Sequence, residues 1–254
     1  MNKFYVENVT SADKSVTIVG EDVNHIKNVL RLRNGEQIMV VGSDQKNYIC
    51  SITEVNDDFV NADIVDIEEN AAELSAKITL YQGMPKSDKM EWIIQKTVEL
   101  GVARVVPVMM ERSVVKLDAA KQKKKVSRYQ GVAESAAKQS GRGFIPEIGD
   151  FMTLKEAVQE AQGLGKNKEN ASASLLLPYE SAKGISYTRE IFDQAVKTDS
   201  IAIFIGPEGG FAESEVKLAE DAGAKIVTLG HRILRTETAG MTVLSILGYL
   251  MERD

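Results

Sequence analysis

One cysteine, Cys50, stands in the 254 residues. It excludes an intrachain disulfide and fits a reducing compartment. Long apolar runs are missing too: none reaches the roughly 18 residues that a membrane span needs. The start, MNKFYVENVT, lacks the apolar core of a signal peptide. Only two histidines are present, and His25 has no Cys or His cluster around it, so it reads as a capping or packing residue rather than a metal ligand. These absences predict a cytoplasmic protein with no membrane and no metal partner. What is there is ordinary: 43% hydrophobic and 27% charged residues, in a length that permits one large domain or two modest ones.

A net charge of −6 by itself argues against a nucleic-acid partner, but the charge is segregated. Residues 1–72 hold 6 basic against 13 acidic side chains, residues 77–145 hold 14 against 6, and residues 146–254 hold 11 against 17. A basic middle between acidic flanks is a focused positive surface of the kind that binds phosphate.

The first 72 residues carry a β pattern. Gln37–Val41, Tyr48–Val55 and Phe59–Ile67 read as strands separated by the turn residues Asn34-Gly35 and Asn56-Asp57-Asp58. This predicts a small all-β barrel. His25–Arg33 is more helix-like and ends on Arg31 and Arg33, which either pair locally with Glu21, Asp22 or Glu36 or contact RNA phosphate. Residues 68–75 mark a boundary. From Lys77 strands alternate with helices, the sign of an α/β domain with a parallel sheet over residues 73–254. Strands are expected at Ile78–Gln82, Arg104–Met109, Phe144–Ile148, Ser174–Leu177, Ile201–Ile205 and Lys225–Leu229. Helices are expected from Asp88 to Gly101, over Asp118–Ser140 and over Thr238–Glu252. On the first of these helices Lys89, Trp92, Lys96 and Glu99 share a face. It reads either as a stripe that holds RNA, cations on phosphate and ring on a base, or, in preference, as a core tryptophan flanked by snorkelling lysines. Gly163–Ala173 reads as a polar surface loop. The last helix is apolar on nearly all sides, which predicts burial in the core or against another chain.

Two glycine-bearing loops follow successive strands. Ile201–Ile205 stops at Gly206-Pro207-Glu208-Gly209-Gly210, and Lys225–Leu229 leads into Gly230-His231-Arg232-Ile233-Leu234-Arg235-Thr236-Glu237. Glycines at strand ends let backbone N–H groups approach a ligand without a Cβ in the way, in a crevice at the edge of a parallel sheet. No Gly-Lys-Ser/Thr follows the glycines, which weakens a phosphate-binding or nucleotide-binding reading. A catalytically silent RNA-binding or ribosome-assembly protein shares the basic middle but needs no intact loops.

GPEGGF followed by LGHRILRTETA resembles the paired signature of the ribosomal RNA small subunit methyltransferase E (RsmE) family, within the trefoil-knotted SPOUT methyltransferases. His25-x-x-x-Val29-Leu30-Arg31-x-x-x-Gly35, Lys86-x-x-Lys89, Lys96-x-x-Glu99-Leu100-Gly101 and Gln139-Ser140-x-Arg142 agree in order, so the resemblance spans almost the whole chain. It implies a PUA-like barrel over 1–72 and a knotted SPOUT domain over 73–254. It implies S-adenosylmethionine as methyl donor, N3 of a uridine in the decoding region of 16S rRNA as acceptor, the assembled small subunit as substrate, and a homodimer. Leu177, Gly206, Glu208, Gly209, Leu229, Ile233 and Leu234 are then the cofactor positions, with the apolar ones walling the adenine.

Methylating a uracil imide also calls for a cation on the developing oxygen charge. Arg235 is the candidate, unless it pairs with Glu237 or Glu208. The proton acceptor stays open between Glu208, Glu237, His231 and water. Arg112, Arg142, Lys86 and Lys96 are the RNA contacts expected from the basic middle, with Arg31 and Arg33 from the barrel. Where family members often have proline after the ETA, this chain has Gly240-Met241, expected to loosen the start of the last helix.

Overall fold

The computed structural model describes residues 1–86, 88–115, 117–165, 171–180 and 183–252. The loop expected over Gly163–Ala173 runs through 166–170, which lie outside the described residues. The chain divides into two compact units, Met1–Glu73 with Ala137–Ile145, and Leu74–Ala136 with Pro146–Asp254.

In the first unit, β1 (Lys3–Tyr5), β2 (Ser15–Val19), β3 (Gln37–Val41), β4 (Asn47–Val55) and β5 (Phe59–Glu68) form one sheet in the order β1-β3-β4-β5-β2. Only β1–β3 is parallel. Period-two alternation sends Val16, Ile18, Ile38, Val40, Tyr48, Cys50, Ile52, Val60 and Ala62 to a single core. The expected barrel is open at the hydrogen-bond level: among the described residues no ladder joins β1 to β2. The helix expected over His25–Arg33 sits earlier. It starts as α1 (Glu21–Asn24) and widens into a π turn at His25–Val29. His25 lies edge-on to Phe4 with ring centroids 6.3 Å apart, in a packing role. Arg31, at φ 55, breaks the helical path.

Residues 137–145 join this unit through a buried ion pair that the sequence pattern did not reveal. The Arg142 guanidinium, 2% exposed, donates from Nε to Glu73 Oε1 (2.8 Å) and from Nη2 to Oε2 (2.7 Å). Glu73 also accepts the Gly143 N–H at 2.6 Å, and the guanidinium lies 5.0 Å over the Phe144 ring. The backbone beside it is held as well, by Tyr5 Oη donating to Arg142 O and Lys3 Nζ to Gly141 O, both at 2.7 Å. The RNA contact expected of Arg142 is therefore corrected: its charge is desolvated and satisfied internally, with no face left for a phosphate.

The second unit is a parallel sheet of β6 (Lys77–Gly83), β7 (Arg104–Met109), β8 (Glu147–Ile148), β9 (Met152–Thr153), β10 (Ala173–Pro178), β11 (Ser200–Ile205) and β12 (Lys225–Val227). The order is β12-β10-β11-β6-β7-β8, with β9 on β7. Its helices are α2 (Lys89–Glu99), α3 (Ala119–Ser140), α4 (Leu154–Gly163), α5 (Ile185–Ala195), α6 (Glu213–Asp221) and α7 (Thr236–Met251). Ile201–Ile205 is buried throughout, as a strand covered on both faces requires. A Cβ on Gly240 would lie 3.7 Å from Leu80 and Ile205, so Gly240 is a contact point of α7 on β6 and β11. The helix runs unbroken through it, rather than loosened as expected. Trp92 is not core: it is 51% exposed, with Lys96 Nζ 4.9 Å above its ring.

Removing one partner of a buried ion pair strands the other. Arg142→Ala is expected to cost about 3 to 5 kcal/mol of stability, measured by urea unfolding of the intact chain.

Candidate active site

Parallel register fixes where the chemistry sits. Ile205 of β11 pairs with Gln82 of β6, and Pro178 of β10 pairs with Val227 of β12. The loops leaving these strands therefore emerge at one end of the sheet, where α/β proteins form a ligand crevice.

The turn after β11 is shaped by contact with β6. A Cβ on Gly83 would fall 2.6 Å from the Pro207 nitrogen and 2.9 Å from the Gly206 carbonyl carbon, so the two strand ends touch backbone to backbone. Gly206 lies against Gly210, which turns the chain at φ 68. The second loop is joined to the first by Thr236, at the start of α7. Its buried hydroxyl donates to Gly206 O at 2.6 Å and accepts from Gln82 Nε2 at 2.9 Å. Gln82 also donates to Gly83 O at 3.0 Å, and its Oε1 is buried without a hydrogen-bond partner among the described residues.

Charge adds a further link. Glu208 accepts the Lys86 N–H at 3.1 and 3.2 Å and Lys89 Nζ at 3.1 Å, and Lys89 Nζ also reaches Glu237 at 3.4 Å. Burial works to raise the Glu208 carboxyl, but hydrogen bonds from its own backbone, from Lys89 and from the Lys86 amide together hold it below its usual range. Glu208 is thus an ionised carboxylate already engaged. Its hydrogen bond to Glu208 correspondingly raises the Lys89 ammonium.

From the other side comes the loop after β7. Buried Glu215 takes the N–H of Ala212 and of Glu111, both at 2.8 Å, which fastens that loop to the start of α6. Arg112 then donates from Nη1 to Gly209 O at 3.1 Å, and a Cβ on Gly209 would lie 3.0 Å from the Arg112 Cβ. Arg112, expected as an RNA contact from the basic middle, stands against the first glycine loop.

The remaining residues separate by exposure. Leu177 is fully buried in the core beneath the sheet, so its side chain walls no ligand and only its backbone is available. Leu229 and Leu234 are half-buried, while Ile233 is 87% exposed. Gly206 is half-buried, and Glu208 and Gly209 are exposed. Arg235 is exposed and makes no ion pair among the described residues; Glu208 and Glu237 pair with Lys89 instead. Lys86 is exposed. Lys96 pairs with Glu99 at 2.8 Å. Arg31 and Arg33 are exposed in the first unit without an ion pair among the described residues. Sequence reasoning overlooked Gln82, Thr236 and Glu215. Thr236 lies inside the RTETA motif, which is the signal that could have found it; Gln82 and Glu215 are marked only by tertiary contacts. No cluster of three His, Cys, Asp or Glu suited to a metal occurs among the described residues, and no helix there is long and apolar enough to cross a membrane.

A family model described as an RNA methyltransferase domain matches residues 72–248, and one described as an RNA methyltransferase PUA domain matches 18–65. A parallel α/β domain with paired glycine loops, preceded by a PUA domain, thus defines the class: an RNA methyltransferase. Ribosomal RNA small subunit methyltransferase E of Bacillus subtilis is 38% identical over 239 residues, covering 93% of this chain and 90% of that protein. The protein of the same name from Mycobacterium tuberculosis is 29% identical over 98% of this chain and 92% of its own length. The crystal structure of that enzyme from Neisseria gonorrhoeae, bound to S-adenosylmethionine, superposes with a TM-score of 0.78 at 32% identity, covering 97% and 96% of the two chains. This chain belongs to the ribosomal RNA small subunit methyltransferase E family.

The Gly83 contact gives a direct check on the loop geometry. Gly83→Ala forces the Pro207 backbone aside, at an expected cost of about 1 to 3 kcal/mol. Faster amide exchange at residues 206–211 should accompany the loss.

Proposed function

We propose that this chain transfers the methyl group of S-adenosylmethionine to N3 of a uridine in the decoding region of 16S rRNA, in assembled small subunits in the cytoplasm. The observation that carries the reading is the joining of two glycine loops at one sheet end, with an arginine beside them that makes no ion pair among the described residues.

The residues fit that cofactor. Nothing lies within 4 Å of a Cβ on Gly210 or Gly230, both at positive φ. The amides of residues 231–234 have no hydrogen-bond partner among the described residues. Open space, unbonded N–H groups and the flanking Leu229, Ile233 and Leu234 suit a nucleoside read by backbone and apolar contact. Gly206, Glu208, Gly209, Leu229, Ile233 and Leu234 would hold it, Leu177 contributing backbone alone. When bound, the cofactor supplies an electrophilic methyl group on a sulfonium.

Arg235 stands at the N-cap position of α7 with its guanidinium unpaired among the described residues, available to stabilise charge on the uracil oxygens. Glu208 is held ionised by Lys89 and two amides, so its carboxylate is engaged as an anchor, leaving Glu237, His231 or water to accept the N3 proton. Lys86 and Arg112, with Arg31 and Arg33 on the PUA domain, supply phosphate contacts. β12 lies at the far edge of the sheet whereas α7 packs over β6 and β11, and we read this return as the trefoil knot of the family.

The test is to map methylated nucleotides after incubation with labelled S-adenosylmethionine and either small subunits or naked 16S rRNA. Label on one uridine N3, in subunits, is expected; label elsewhere or none overturns the reading. Arg235→Ala should bind cofactor and RNA normally yet lose roughly a hundredfold in single-turnover rate at saturation. A normal rate removes Arg235 from the chemistry.

The exposed face of α7 carries Ile246, Tyr249 (81% exposed) and Leu250, an apolar strip suited to a second copy of the chain. Sedimentation at low micromolar concentration should show a dimer, and Tyr249→Asp with Ile246→Asp should dissociate it without unfolding.

A further inference from the structure

Lys89 reaches from the first turn of α2 to both glycine loops at once. Its Nζ lies 3.1 Å from Glu208 Oε1 in the loop after β11 and 3.4 Å from Glu237 Oε2 in the first turn of α7. The three side chains are partly shielded, with exposures of 32%, 27% and 17%. Two carboxylates within hydrogen-bonding reach of one ammonium repel each other once the cation is gone, and shielding strengthens that repulsion. The same two segments are joined beneath by Thr236 Oγ1 and Gly206 O. The upper tie therefore sets the spacing of loops already hinged at their base.

We propose that Lys89 is a positioning residue for the cofactor, a cationic clamp that draws Glu208 and Glu237 together and so fixes the separation of the two binding loops. The proposal rests on the methyltransferase reading. It assigns Lys89 to the cofactor site, whereas its place beside Trp92 and Lys96 on α2 suggests an RNA-facing stripe. Titration is consistent in sign: against burial, hydrogen bonds from its own backbone and then from Lys89 lower the Glu208 carboxyl, and the bond to Glu208 raises the Lys89 ammonium. The clamp is therefore intact between those two limits and opens as Glu208 protonates in acid.

Calorimetry with S-adenosylmethionine on the full chain tests it, with thermal unfolding as a control. Lys89→Ala should weaken binding about three- to tenfold, in keeping with a partly shielded ion pair, and Lys89→Arg should restore most of it. The discriminating arms are charge-specific. Lys89→Ala combined with Glu237→Gln should recover affinity to within about twofold, because the repulsion is removed with the carboxylate. Added salt should weaken binding by the wild-type chain but strengthen it in Lys89→Ala, where it screens like charges. Unchanged affinity in Lys89→Ala overturns the clamp, as does loss of RNA binding alone, which makes Lys89 a phosphate contact. Lost affinity that Glu237→Gln fails to recover also overturns it. If the wild-type chain binds no S-adenosylmethionine, it is the methyltransferase reading that falls.

Discussion

The hydroxyl of Thr236 donates to the carbonyl of Gly206 while accepting a hydrogen bond from buried Gln82, and the candidate site depends on that junction. A carbonyl at the end of a buried strand has to find a donor, because an unpaired one away from water costs about as much as a lost hydrogen bond. Here the donor comes from the first residue of the final helix. Satisfying β11 thus brings α7 to the sheet end and sets the second glycine loop beside the first. The contact of Gly83 with Pro207 follows from the same closeness.

Around that junction, charge and backbone have separate tasks. Glu208, Glu237 and Lys89 tie the loops together, Glu215 holds the stretch of chain bearing Arg112, and the amides of residues 231–234 have no hydrogen-bond partner among the described residues. Glu208, held by Lys89 and the Lys86 amide, is a poor candidate for proton transfer, whereas Arg235 makes no ion pair among the described residues.

The first unit shows how charge counts mislead. Arg142 adds to the basic balance of residues 77–145, yet it is spent on Glu73 inside the unit. Lys96 is likewise half-committed to Glu99. Composition therefore overstates the basic charge left uncommitted in residues 77–145.

Strands, the α/β alternation and the two glycine loops were legible from the chain alone, because period-two and helical patterns and glycine punctuation are local consequences of burial and backbone sterics. The motifs of both loops carried the family. Tertiary structure decided the rest. Trp92 lies outside because the other face of α2 already fills the core with Met90, Ile93, Ile94 and Val98. In the first glycine loop Gly210 takes the positive φ, while Gly209 is pressed against Arg112. Leu177 turns its side chain into the core, and residues 137–145 leave the domain that precedes them to satisfy Glu73. None of these could be read in advance, because each depends on which distant group supplies the missing partner, and spacing along the chain does not encode that.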